Sequence, residues 1–105
     1  MNAPPNRRFR NFAEFYPFYL SEHANRTSRR LHFVGTTGVI ACLVTALVSG
    51  NAWWYLGAVV CGYGFAWVGH FFFERNRPAT FKYPIYSFIG DWVMYGDILR
   101  GKVGL

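Results

Sequence analysis

Three histidines, His23, His32 and His70, are the only ones in the chain. An imidazole offers a neutral nitrogen to a metal ion, or exchanges a proton near neutral pH. Glu74 follows His70 by four residues, which on an α-helix stacks carboxylate and imidazole on one face, one turn apart. Such a pair supplies two metal ligands, or the carboxylate orients the imidazole from behind. Histidine and carboxylate donors suit zinc or iron, and a facial set with open positions suits oxygen-activating iron(II). His23, His32, His70 and Glu74 are therefore the candidate metal-ligating and catalytic residues. Arg75, Arg77 and Lys82 lie beside them in sequence, where they would meet either a substrate carboxylate or lipid phosphates.

The distribution of charge decides which elements must carry these residues. Charged residues make up 15% of the chain, against roughly 25% in soluble domains. Residues 31–73 contain no Lys, Arg, Asp or Glu. About 20 apolar residues cross a bilayer as a helix, so this block holds two crossings. Its turn-forming cluster is Ser49-Gly50-Asn51. The pattern predicts a helical hairpin over residues 28–48 and 52–73. Arg7, Arg8, Arg10, Arg26, Arg29 and Arg30 precede it, Arg75, Arg77, Lys82, Arg100 and Lys102 follow it, and its turn has none. Lys and Arg mark the cytoplasmic side, so both termini and the histidines are expected there, in a bacterial inner membrane. Trp53, Trp54 and Tyr55 fit an aromatic belt at the far interface.

On this reading the net charge of +6 serves topology and attraction to anionic lipid. No basic stretch stands apart from the membrane flanks, which argues against nucleic acid. The apolar block starts too late and runs too long for a removable signal peptide. Cys42 and Cys61 lack metal or redox spacing and read as small packing residues.

Residues 1–8 read as a disordered N-terminus. Phe9, Phe12, Phe15, Tyr16, Tyr19 and His23 then follow a helical period too short and too charged to span, suiting an interfacial helix bent at Pro17. Beyond a loop bounded by Pro78 and Pro84, residues Ile85, Phe88, Ile89, Trp92, Tyr95 and Leu99 repeat helically. With Asp91 and Asp97 aboard, that helix sits at the interface or dips into it. The predicted fold is all-α: an integral membrane helical bundle, one domain over residues 9–105, its transmembrane hairpin flanked by interfacial or partly inserted helices. A homo-oligomer is compatible with the pattern. Gly35, Gly38, Cys42, Ala46 and Ser49 on one helix, and Ala58, Gly62, Ala66 and Gly69 on the other, form small-residue faces expected to meet.

His32 lies eighteen residues before Gly50 and His70 twenty after it, so both sit roughly 27–30 Å from the turn at 1.5 Å rise per residue. His32 is about 60° from Gly35 and His70 about 40° from Ala66 around their helices, so both approach the packing side. His23 is nine residues before His32 and half a turn out of phase on a straight helix. It joins them only if the helix breaks between, with Asn25 as turn former and Thr27 or Ser28 as the N-cap. Spacing alone leaves several readings open: interfacial polar groups, a structural metal, a haem held between two histidines, a zinc-dependent lipid hydrolase, or a redox metal enzyme.

Tyr19-Leu20-Ser21-Glu22-His23, Arg30-Leu31-His32-Phe33-Val34-Gly35, the run from Gly69-His70 through Glu74-Arg75-Asn76-Arg77-Pro78-Ala79-Thr80, Tyr83-Pro84 and Gly90-Asp91-Trp92 together resemble small bacterial members of the 2-hydroxy fatty acid dioxygenase family. The resemblance spans residues 9–102. It implies an integral membrane enzyme that uses Fe(II) and molecular oxygen, in a family whose eukaryotic members shorten long-chain 2-hydroxy fatty acids by one carbon, an α-oxidation. Carried onto this chain, it implies His23, His32 and His70 as iron ligands and Glu74 as a fourth ligand or orienting group. Asp91 is a weaker candidate of the same kind.

Overall fold

The structure, a computed structural model, describes residues 9–77 and 82–105; the N-terminal stretch expected to be disordered lies outside the described residues. Four helices follow in order, with no strand among the described residues: α1 (Phe12–Ser21), α2 (Arg26–Ser49), α3 (Trp53–Val68), continued without a break by a π-helical turn (Gly69–Glu74), and α4 (Pro84–Leu99).

The hairpin forms where the sequence predicts it. α2 ends at Gly50, whose φ of +69° is the left-handed cap that glycine adopts without strain. Spans Arg26–Ser49 and Trp53–Glu74 are each long and apolar enough to cross a membrane. Their outer faces, including Val44, Leu47, Val48, Leu56 and Val60, are exposed. A continuous apolar surface of this kind is uncommon on a soluble monomer.

Close packing of α2 on α3 depends on glycine. A Cβ at Gly35 would lie 2.8 Å from the Cys61 carbonyl oxygen and 2.9 Å from Phe65 Cβ. One at Gly69 would lie 2.8 Å from Ser28 Oγ. The expected meeting of small faces holds on the α2 side for Gly35, Gly38 and Cys42, but Ser49 is exposed. On the other helix the contact line is wider than expected: Gly62 meets Val39 and Gly69 meets Ser28, but Gly57, Cys61 and Phe65 also meet α2, while Ala58, Gly62 and Ala66 line a cavity. Adjacent small stripes on α3 look alike in sequence, and the third helix that settles their roles is far away in the chain.

That third helix is α4. Phe15 and Tyr19 of α1 are fully buried against Met94 and Ile98 of α4. The aromatic face of α1, expected at a lipid interface, therefore packs on protein. Pro17 lies within α1 without ending it. The acidic residues that argued against α4 spanning receive tyrosine hydroxyls: Tyr16 donates to Asp97 (2.8 Å) and Tyr19 to Asp91 (2.5 Å).

Candidate metal centre

Each histidine is delivered by a different device. His23 follows α1 in the turn, its backbone N–H donating to the Leu20 carbonyl (3.0 Å). The expected break comes at Asn25, whose side chain accepts from Ser28 N (3.1 Å) and caps α2. Asn25, not Thr27 or Ser28, is thus the N-cap, and Ser28 is buried against Gly69 instead. His32 stands on the second turn of α2. His70 lies in the π-helical turn, where i→i+5 bonding replaces the α pattern.

The result is a cluster. His23, His32 and His70 are 1%, 6% and 2% exposed, and one ligand nitrogen from each lies within 4.8 Å of the others. Their hydrogen bonds set which nitrogen is free. His23 Nδ1 donates to the Tyr19 carbonyl (2.7 Å), leaving Nε2 as an acceptor, and that Nε2 is buried with no protein partner among the described residues. His70 Nδ1 donates to Asn76 Oδ1 (2.7 Å), and the same amide donates from Nδ2 to the Glu22 carbonyl (3.2 Å), which fixes its orientation. Burial pushes the His23 pKa well below its ordinary value, with His32 and His70 adding to the effect. A neutral ring is the form a metal needs. An orphaned buried acceptor costs about 1–3 kcal/mol, and a cation among the three nitrogens would relieve that cost. The donor set therefore fits a divalent transition metal.

The acidic candidates separate. Asp91 Oδ1 lies 3.4 Å from His32 Nε2. Burial pushes its pKa up to about 7, with the Tyr19 hydroxyl opposing the shift. Glu74 has a bond of its own: its Oε2 accepts from Asn25 N (2.7 Å), tying the α1–α2 break to the end of the π-helical turn. The four-residue spacing from His70 implied one face, but that holds only in an α-helix, and this turn is π-helical. Arg75 (φ 58°) turns the chain so that Asn76 folds back, its N–H reaching the His70 carbonyl (3.0 Å). Arg75, Arg77 and Lys82 are exposed and none lines the cavity.

A cavity of about 200 Å³ opens from the cluster. His23, His32, His70, Asp91 and Ser87 stand at its polar end, and its larger, apolar part includes Val39, Ala58, Gly62, Ala66, Trp67 and Trp92. Tyr19, Asn76 and Ser87 are site residues that sequence reasoning missed. Asn76 belonged to a recognised motif, and Tyr19 sits one turn before His23, but neither spacing by itself names a hydrogen bond. Ser87, one turn before Asp91 on α4, carried no signal.

No curated protein and no solved structure matched the chain. The family model described as 2-hydroxy-palmitic acid dioxygenase Mpo1-like matches residues 9–103, a stretch that includes all four helices, the three histidines and Asp91. The chain belongs to the 2-hydroxy-palmitic acid dioxygenase Mpo1-like family.

Proposed function

We propose that the protein is an integral membrane dioxygenase that uses iron(II) and oxygen to shorten 2-hydroxy fatty acids by one carbon, with its termini and site on the cytoplasmic side. The observation that carries this reading is the set of three buried imidazoles, one nitrogen orphaned, at the polar end of an otherwise apolar cavity. The family supplies the reaction class.

His23, His32 and His70 would hold the ion, and Asp91 is the carboxylate best placed to join or orient them. Bound iron(II) would supply oxygen activation and the redox chemistry that breaks the bond between C1 and C2. The chain's own residues prepare that chemistry. The Tyr19 carbonyl and Asn76 keep the Nδ1 protons of His23 and His70 in place, so that each Nε2 faces the site. Tyr19 and Asp91 share a hydrogen bond beside His32 and can hold a proton there. The apolar walls exclude water, and an acyl chain can remain in them while its polar head meets the histidines. Glu74 acts as a brace between helices.

A haem reading fails on geometry: the His23 ring centroid lies 4.8 Å from that of His32 and 4.4 Å from that of His70, in the space a macrocycle between those two would fill. A zinc hydrolase would turn over without oxygen. The test is oxygen uptake by anaerobically purified, iron-loaded protein given a 2-hydroxy fatty acid. Oxygen consumed in step with a product one carbon shorter, and absent in His70→Ala, is expected. Turnover that continues under nitrogen, or that survives in His70→Ala, would overturn the reading.

A further inference from the structure

The cavity's floor is a row of small residues. α2 packs on α3 through Gly57, Cys61 and Phe65, and Val39 of α2 comes close to Gly62; Ala58, Gly62 and Ala66 line the cavity. On a helix rising 1.5 Å per residue they stand about 18, 12 and 6 Å beyond His70. The polar end asks for a ligand: His23 Nε2 and Ser87 Oγ, on residues 1% and 3% exposed, are buried with no partner among the described residues. Among the described residues the lining contains no Lys or Arg and is mostly apolar, so selection by shape falls on the tail.

We infer that Ala58, Gly62 and Ala66 form the floor of an acyl-chain slot and act as a ruler for the chain length the site accepts. The inference rests on the dioxygenase reading for its chemistry and on the cavity for its geometry. A leucine at each position blocks the slot at a different depth, and a misfit of even one methylene changes kcat/KM by about tenfold or more. Gly64 is the control, because a Cβ there meets nothing within 4 Å.

The experiment measures turnover of 2-hydroxy fatty acids of increasing length by Ala66→Leu, Gly62→Leu, Ala58→Leu and Gly64→Leu, in the full chain in nanodiscs. Gly62→Ala is the milder variant should the leucines fail to fold, its methyl meeting Val39 Cγ2 at 3.2 Å. The expected result is a graded cut-off: Ala66→Leu accepts only the shortest chains, Ala58→Leu loses only the longest, and Gly64→Leu matches wild type. A second readout needs no turnover. The chain has four tryptophans, and Trp53→Phe with Trp54→Phe leaves only Trp67 and Trp92, both in the cavity wall. Saturable quenching by brominated fatty acids should then follow the same order of lengths. If wild type fails to turn over yet quenching is graded, the dioxygenase reading falls and the slot stands. If every length is affected equally, or no fatty acid quenches saturably, the slot is overturned.

Discussion

The two ends of the same hairpin are built differently. Near the turn, Leu47, Val48 and Trp53 are 76–83% exposed, and the polar groups bond within four residues, as Ser49 does to Thr45 and Asn51 to Trp53. At the other end His23, Ser28, His32, Thr36, His70 and Ser87 are all buried, though polar. There α1 and α4 close over the hairpin, and hydrogen bonds join residues far apart in sequence, such as Asn25 with Glu74 and Tyr19 with Asp91. One pair of helices thus satisfies itself locally where its apolar face is exposed and needs two further helices where polar groups go inside. Burial of unpaired polar atoms is costly, so their concentration at one end marks where binding energy is to be gained.

The sharpest way to break this contrast is to remove one buried imidazole and one exposed leucine. His70→Ala should abolish near-stoichiometric iron binding while far-UV circular dichroism keeps its helical signal. Leu47→Ala should change neither. Iron retained by His70→Ala would mean that the cluster is not the metal site.

A wedge in the hairpin comes next. Gly35→Ala places a methyl 2.8 Å from the Cys61 carbonyl, and overpacking of this kind destabilises by about 1–3 kcal/mol. Gly64→Ala, in open space on the same hairpin, should stabilise by about 0.5–1 kcal/mol through helix propensity. Denaturation in detergent compares them, and equal effects would refute the close approach.

The two asparagines make a smaller pair. Asn76→Ala removes the partner that orients His70, which should weaken metal affinity by about 10–100-fold. Asn51→Ala, at the turn, should leave metal affinity untouched. Titration of apo protein with cobalt(II), read by its visible absorption, separates the two.

The hairpin was legible because its signal is local and cumulative: residues 31–73 lack charge, and one turn cluster divides them. The break that lets His23 join His32 was also legible, since Asn25 sits midway and a straight helix forbids the alternative. The bond from Glu74 to Asn25 was not legible because a π-helical turn changes the phase of everything after His70, and no residue type there announces it. The docking of α1 on α4 was hidden for another reason. Tyr16 and Tyr19 read as part of an aromatic lipid face, and Asp91 and Asp97 as marks of an exposed helix, until each is seen as the other's partner. A sequence separation of 72 or 81 residues leaves no periodicity to detect.

Those two tyrosines give the finest test, since they make the same bond in different company. Tyr19 donates to Asp91 beside His32, whereas Tyr16 donates to Asp97, away from the cluster. Tyr19→Phe should therefore alter metal affinity and turnover. Tyr16→Phe should alter stability only, by about 0.5–1.5 kcal/mol, the net value of one hydrogen bond. Its pH dependence is fixed in sign. The Tyr16 hydroxyl, more than Arg100, holds the Asp97 pKa below its ordinary value. A carboxyl depressed in the folded state contributes stability above its unfolded pKa of about 3.9 and loses it as pH falls through the folded value. The gap between wild type and Tyr16→Phe should be full at pH 7 and close on acidification below pH of about 3.9, measured by denaturant midpoints at both pH values. A gap that widens in acid would show that Tyr16 bonds the protonated Asp97 carboxyl better than the carboxylate, and the scaffold bond would then be of another kind than the one beside the histidines.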